Sequence, residues 1–188
     1  MSVPIVAFGH RKQVGKDLAT KLLGHHCELN NIHVAQKKFA YELKKVCFDL
    51  YEWDGMPNSK EWELNPECRN RVLPNIGKTP RQLLIETGNK MRSIYPNIWV
   101  DLLMNKPFIG SLMIISDLRF PNEMKSVHDC GGICIKIRRP SIKNTDDEAD
   151  VALAGYQPWD AIIFNDGTEL DLCEKIIKIC NPLIGIKG

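Results

Sequence analysis

Apolar and polar residues follow one another in blocks that predict strands followed by helices. Residues 3–8 are apolar, include β-branched members and are closed by Gly9, which predicts a buried strand. From Gly15 to Asn30 apolar residues recur at the helical period and predict the next helix. Residues 33–38 predict a second strand, and residues 42–53 carry an apolar helical face. The chain therefore begins with two strand-then-helix units.

The same alternation continues towards the C-terminus. Thr79-Pro80 is a helix start with proline at the first helical position. The remaining predicted elements are helices at 80–91, 98–104, 121–130 and 168–180, and strands at 112–116, 133–137 and 161–164. Alternating strands and helices predict an α/β fold, a mostly parallel sheet of about five strands with helices on both faces. Ligands of such sheets bind at the carboxyl ends of the strands.

Length and composition indicate one globular domain, 1–188, since 44% of its residues are hydrophobic and 26% are charged. Residues 54–78 break the pattern with Gly and Pro and are interpreted as an insertion, and 138–150 as a candidate lid. A balance of 25 Lys+Arg against 23 Asp+Glu excludes nucleic-acid binding over the whole surface, so any basic function is local. Neither a membrane span nor a secretory signal is visible, and a cytoplasmic location is expected.

Cysteine and histidine give no catalytic or metal pattern. The seven cysteines include no Cys-x-x-Cys pair, which predicts reduced, mostly buried thiols. The five histidines are scattered, and we expect surface or hydrogen-bonded side chains for all of them: His10, His25, His26, His33 and His128.

The loop from Gly9 to Asp17 lies where a phosphate-binding loop must lie, between a buried strand and a helix N-terminus. Backbone N–H groups there bind polyphosphate, and Lys16 reaches its β and γ oxygens. The strict motif is only partly met, because His10 stands where glycine is expected. Asp17 replaces the usual Ser or Thr, and it either compensates the helix dipole or binds magnesium, chiefly through water.

Two further charged groups follow predicted strands. Asp117 follows the strand at 112–116, where it either holds magnesium or its waters or is a turn carboxylate, and Arg119 is placed to contact a phosphoryl group. Arg138 and Arg139 end the strand at 133–137 and either line the same crevice or form a solvated basic pair. Arg81 either binds an anion at its helix N-terminus or pairs with Glu86, and the spacing does not decide between them.

Together these motifs resemble the bacteriophage deoxynucleoside monophosphate kinase family, of the P-loop NTPase superfamily, over most of the chain. The Asp117-Leu118-Arg119-Phe120-Pro121-Asn122-Glu123 string is the most specific of them, whereas the Gly-Lys-Asp ending is shared with animal-type phosphomevalonate kinases. The other matching segments are Phe39-Ala40-x-x-Leu43-Lys44, Thr79-Pro80-Arg81-Gln82-Leu83-Leu84, Trp99-Val100 and Asn165-Asp166-Gly167-Thr168.

The resemblance implies a three-layer P-loop kinase fold and transfer of the γ-phosphoryl group of ATP to a (deoxy)nucleoside monophosphate. It implies that ATP with Mg²⁺ binds on residues 11–18, that is on Arg11, Lys12, Gln13, Val14, Gly15, Lys16, Asp17 and Leu18. It places the acceptor near Phe39, Lys44 and Arg81, with Arg119 and Arg138 between the two phosphate chains. Lys16, Asp117, Arg119 and Arg138 are the expected catalytic residues, and Asp17 and Asp117 the expected metal ligands.

Two alternatives stay open from the sequence. One is a kinase of another phosphorylated small molecule, such as phosphomevalonate or dephospho-coenzyme A, and the other is a nucleotide-binding module that has lost transfer. The expected partners are small-molecule nucleotides, with neither nucleic acid nor membrane. The family often forms dimers, so a homodimer is a further open expectation.

Overall fold

The computed structural model describes residues 3–51, 66–142, 151–153 and 155–186. Its strands are β1 (Ile5–Gly9), β2 (Val34–Lys37), β3 (Leu112–Leu118), β4 (Ile133–Arg138) and β5 (Ala161–Phe164). Its helices are α1 (Lys16–Leu29), α2 (Tyr41–Tyr51), α3 (Pro66–Asn70), α4 (Pro80–Ile94), α5 (Ile98–Met104), α6 (Pro121–Asp129) and α7 (Glu169–Ile184). The predicted succession of strands and helices is confirmed.

The five strands form one parallel sheet in the order β2-β3-β1-β4-β5. β1 lies at the centre, and all five of its residues are buried. Gly9 at its carboxyl end is paired with Leu118 of β3 and Lys136 of β4. The residues that follow β1 therefore emerge between the ends of two neighbouring strands, which is where ligands of parallel sheets bind.

Helices cover both faces of this sheet. Ile135 and Ile137 of β4 belong to a buried cluster that includes residues of α1 and α7. Cys134 points to the opposite face, because successive strand residues alternate, and its Sγ lies 3.9 Å from the carbonyl oxygen of Met124 in α6. The fold class is thus the predicted α/β sheet with helices on both sides.

Several element ends differ from the sequence prediction by one to four residues, and the contacts of two of them give the reason. β3 continues to Leu118, two residues beyond Ser116, because Leu118 pairs with Gly9 at the end of the sheet. α7 continues past Cys180 to Ile184 although it contains Pro182. A proline one turn from a helix end removes few backbone hydrogen bonds, and Ile184 still packs against the core.

The chain divides into two compact units, one made of residues up to Lys38 and from Met104 onwards, the other of Phe39–Leu103. The first unit contains the whole sheet with α1, α6 and α7. The second contains α2 to α5 around a buried cluster of its own: Leu43, Cys47, Leu73, Leu83 and Trp99. Tyr51 and Thr87 join α2 to α4 through a 3.0 Å contact between their hydroxyl oxygens. The single-domain assignment stays a prediction.

Parts of two predicted segments lie outside the described residues. Residues 54–65 of the insertion and 143–150 of the candidate lid are among them. The described part of the insertion includes α3 and an antiparallel bridge between Leu73 and Lys78. All seven cysteines are free, and four of them are buried: Cys27, Cys47, Cys134 and Cys180.

Candidate active site

The loop between β1 and α1 has the backbone of an anion-binding turn. His10, Gln13 and Gly15 have φ angles of 91°, 62° and 105°, in the left-handed region that favours glycine. His10 thus adopts the conformation for which the strict motif supplies a glycine. The presence of His10 instead of glycine therefore changes the side chain at this position, whereas the backbone keeps the left-handed conformation that glycine favours.

The loop ends at the amino terminus of α1, where the first backbone N–H groups of the helix have no intrahelical acceptor. Gly15 is the residue before the helix, and Lys16 is its first residue. The Lys16 side chain is 6% exposed, and its Nζ donates to the carbonyl oxygen of Arg11, across the loop. The ammonium group and the helix dipole therefore favour negative charge at the same end of the sheet.

Two of the predicted nucleotide-binding residues have side chains that pack with the core. The side chain of Val14 is 2% exposed and belongs to the core cluster of the first unit, and Leu18 packs against that cluster. Gln13, in contrast, is exposed. The side chains of residues 11–18 therefore do not all face the same surroundings, because some pack with the core and others are exposed.

Asn165 fixes the far side of the loop, a role that sequence reasoning missed. Its Nδ2 donates to the carbonyl oxygen of Val14 over 2.9 Å, and its backbone N–H donates to the carbonyl oxygen of Arg138 over 2.7 Å. The Asn165 side chain also lies against Gly15, where a Cβ would come within 2.4 Å of Nδ2. The only signal in the sequence was the Asn-Asp-Gly-Thr string after β5, which predicts a turn.

A cavity of about 390 Å³ opens beside the loop. Its lining consists of His10, Arg11, Val14, Arg138, Arg139, Pro140, Ile142 and Phe164. The Arg138 guanidinium carbon lies 6.0 Å from the centre of the Phe164 ring. The structure thus brings together Arg11 and Arg138, which the sequence placed at the ends of two different strands.

Positive charge is concentrated around this cavity. Lys136 is 4% exposed, with its Nζ 5.4 Å from the centre of the Trp159 ring. Burial, followed by the positive charges of Arg138 and Arg11, lowers the pKa of Lys136. Within the described residues, no carboxylate lies at ion-pair distance from Arg11, Lys136 or Arg138. Uncompensated cations of this kind favour a bound anion.

Two carboxylates lie at the same edge of the sheet. Asp17 is in the first turn of α1, with a side chain that is 76% exposed and an oxygen 3.5 Å from the Nζ of Lys38. Asp117 is half-buried near the carboxyl end of β3, inside the strand rather than after it as predicted. Oxygen ligands and retained water are what Mg²⁺ prefers, and the exposure of Asp17 leaves room for water. These residues fit a magnesium–nucleotide complex.

The segment after β3 is held by a buried carboxylate that sequence reasoning also missed. Glu123 is 3% exposed, and its Oε2 accepts from the backbone N–H of Arg119 over 2.7 Å and from that of Phe120 over 3.0 Å. Glu123 belongs to the same motif as Arg119, and its side chain holds the backbone of Arg119 in place.

Three of the four predicted substrate-binding residues lie in the second unit, and the fourth, Arg119, lies in the first. Phe39 is 2% exposed, Lys44 is half-buried on α2, and Arg81 is exposed in the first turn of α4. Thr79 caps α4 through its side chain, which accepts from the N–H of Gln82 over 3.2 Å. Glu86, the alternative partner of Arg81, accepts instead from Lys78.

No family model matches the chain. A curated protein, however, is similar to it over most of its length. A protein of Acanthamoeba polyphaga mimivirus named "Putative deoxynucleotide monophosphate kinase" is 28% identical to this chain over 187 residues. The match covers 89% of this chain and 91% of that protein. The family resemblance predicted from the motifs is confirmed. The relative comes from a giant virus rather than a bacteriophage.

Two solved structures of the Mycobacterium tuberculosis APS kinase are also similar to the chain. One is a cysteine-to-alanine mutant and the other a complex with AMPPNP and APS, and both have TM-scores of 0.45. They are 9% and 10% identical and cover 96% of this chain and 98% of theirs. The parallel sheet of this chain, with helices on both faces, is the predicted three-layer α/β fold. Among the residues that the structure describes, no helix has the length and hydropathy to cross a membrane.

Proposed function

We propose that the protein is an ATP-dependent kinase that transfers the γ-phosphoryl group of ATP to a deoxynucleoside or nucleoside monophosphate. The observation that carries the proposal is the loop at the centre of the sheet, with its left-handed turns, buried lysine and uncompensated cations beside a cavity. A phosphate chain satisfies both the orphan backbone donors and the excess positive charge of such a loop. The named relative supports the same acceptor class.

The residues around the loop would stabilise the charge that develops during transfer. Lys16 would neutralise the β and γ oxygens, and Arg119 and Arg138 would add guanidinium groups towards the transferred phosphoryl group. Asp17 and Asp117 would hold Mg²⁺ and its waters, and the ion would neutralise the phosphate oxygens and orient them. A monophosphate oxygen is already an anionic nucleophile at pH 7, so the chain needs no strong general base.

The assignment of the acceptor to the second unit rests on the resemblance of its sequence motifs to those of the deoxynucleoside monophosphate kinase family. Lys44 and Arg81 would bind its phosphate, because ammonium and guanidinium groups are the usual ligands of phosphate oxygens. The resemblance also places Phe39 near the acceptor, and its side chain is buried. The preferred base is left to experiment.

The direct test is a product assay with purified protein, Mg²⁺ and ATP against a panel of acceptors. We expect ADP and a nucleoside diphosphate with at least one deoxynucleoside monophosphate. Product with only phosphomevalonate or dephospho-coenzyme A contradicts the acceptor class. ATP binding with no product from any acceptor identifies a nucleotide-binding module instead.

Two variants test the assigned cations. Lys16→Ala is expected to lower kcat by about 100-fold or more with an unchanged fold, because a lost transition-state donor typically costs that much. Lys125→Ala is the matched control, since Lys125 is an exposed lysine of the same unit that pairs with Asp129. Near-normal turnover of Lys16→Ala argues against its assignment.

The acceptor assignment has its own pair of variants. Lys44→Ala is expected to raise the KM for the monophosphate while the Kd for ATP stays unchanged. The exposed neighbour Lys45 provides the control Lys45→Ala. Equal effects of the two variants would show that Lys44 has no special part in acceptor binding.

A further inference from the structure

His10 is a buried imidazole inside the phosphate loop, and the predicted surface or hydrogen-bonded placement is wrong for it. Its side chain is 7% exposed, and within the described residues its Nδ1 is buried without a hydrogen-bond partner. Other histidines do have partners: His26 contacts Asn181 at 2.8 Å, and His128 contacts Asp160 at 2.9 Å. A buried polar atom without a partner is costly, so this one requires an explanation.

The position of the ring is fixed by the backbone. His10 has a φ of 91°, and its N–H donates to the carbonyl oxygen of Leu118 over 3.2 Å, at the end of β3. The side chain lines the cavity together with Arg11 and Arg138. The imidazole is thereby held among groups that face an incoming phosphate chain.

Within the part of the chain that the structure describes, the charged groups that act on the pKa of His10 are all cations. They come from three elements: Arg11 from the loop, Lys16 from α1, and Lys136 and Arg138 from β4. Burial, followed by these four positive charges, lowers the pKa of His10 to about 4. The imidazole is therefore neutral at pH 7 when the loop holds no anion.

We propose that His10 takes up one proton from solvent when a phosphate chain occupies the loop, and that the resulting imidazolium contacts that chain. The inference rests on the proposed function, because it requires a polyphosphate at this place. An anion bound among the four cations places negative charge beside the ring. Negative charge nearby favours the protonated imidazole, since the two attract each other. Protonation makes both ring nitrogens donors, so the ring that lines the cavity can donate a hydrogen bond to a phosphate oxygen. No bond to phosphorus forms, and the proton comes from the buffer.

The consequence is that nucleotide binding is coupled to pH through the loop residue that replaces glycine. Lowering the pH towards 6 strengthens nucleotide binding by the wild-type protein beyond what the nucleotide's own titration accounts for. A loop with glycine at this position has no such coupling, because it has no titratable side chain there.

The test is calorimetric titration of the protein with the magnesium complex of a non-hydrolysable ATP analogue at pH 6.5, in several buffers of different ionisation enthalpy. The slope of observed heat against buffer ionisation enthalpy gives the number of protons taken up. We expect the wild type to take up more protons than His10→Asn, by up to one per site. Asparagine tolerates positive φ and therefore preserves the turn. His25→Asn, which removes an exposed histidine of α1, should match the wild type.

The possible outcomes separate the two proposals. Heat of binding with equal slopes in wild type and His10→Asn overturns the role of His10 and leaves the proposed function intact. No heat from either protein overturns both. A second measurement uses the ring proton resonance of His10, whose midpoint should lie near pH 4 in the free protein and rise by about two pH units or more with the analogue bound, as measurable proton uptake at pH 6.5 requires. An unchanged midpoint would contradict the proposal even if the variant failed to fold.

Discussion

Replacing Gly15 by alanine tests the structural basis of the phosphate loop most directly. Gly15 has a φ of 105° and a ψ of 18°, and it immediately precedes α1. A Cβ at this position would lie 2.4 Å from the Nδ2 of Asn165 and 3.5 Å from its Cγ. Asn165 cannot keep its hydrogen bond to Val14 and also make room, because that bond is made by the same Nδ2. The substitution therefore introduces backbone strain and displaces a neighbour.

The two effects have separate magnitudes. A left-handed conformation costs a residue with a Cβ about 1–2 kcal/mol. Loss of the hydrogen bond between Asn165 and Val14 costs about 1 kcal/mol. We therefore expect Gly15→Ala to lower the free energy of unfolding by about 2–3 kcal/mol. We also expect weaker nucleotide binding, because the backbone N–H groups of the loop change direction.

Urea unfolding measures the loss, and Gly131→Ala is the matched control. Gly131 has a φ of 73°, and a Cβ there would meet nothing within 4 Å, so this variant has the strain without the clash. In an Asn165→Ala background the Gly15→Ala cost should fall towards that of Gly131→Ala. Equal costs of Gly15→Ala and Gly131→Ala in the wild-type background would refute the proposed contact.

Two further predictions concern buried titratable groups. Glu123→Ala should lower the free energy of unfolding by about 2–3 kcal/mol in urea titrations, because two backbone N–H groups, those of Arg119 and Phe120, lose a carboxylate acceptor. Asp129→Ala, at an exposed ion pair, should change it by less than about 1 kcal/mol, and equal losses would contradict the role of Glu123. In the folded protein the pKa of His10 is lowered to about 4, whereas the ordinary value of 6.5 applies in the unfolded chain. The free energy of unfolding should therefore fall by up to roughly 3 kcal/mol as pH drops from 6.5 to 4, and His10→Asn should lack this loss.

The fold was predictable because its signals are local. Every strand of the sheet except β2, which contains Gln36 and Lys37, is built on a short apolar run, and each helix that covers the sheet repeats apolar residues at the helical period. The ends of elements were less predictable, as β3 and α7 show. Pairing with Gly9 extends β3, and core contacts of Ile184 carry α7 past Pro182. Both effects are tertiary and leave no mark on the local pattern.

The loop of the candidate site was predictable from the sequence, whereas the side chains that support this loop were not. A loop after a buried strand and before a helix indicates phosphate binding, whichever residues fill it. The contact between Asn165 and Val14 joins positions 151 residues apart, so no spacing in the sequence reveals it. Glu123 was visible only as part of a motif, because its burial depends on how α6 packs. His10 was misjudged because the motif records which residue is present and not the φ angle it adopts.

The charge distribution is consistent with the proposed binding of a polyanion by a nearly neutral chain. The formal net charge is only +2, so long-range attraction by the whole molecule is weak. Around the loop, however, Arg11, Lys136 and Arg138 have no carboxylate at ion-pair distance within the described residues, and two of the groups there have lowered pKa values. Repulsion between these cations raises the free energy of the protein without ligand, and a bound anion relieves this repulsion. Binding at this site should therefore depend on the number of negative charges on the ligand, with tri- and diphosphates bound more tightly than monophosphates of the same base.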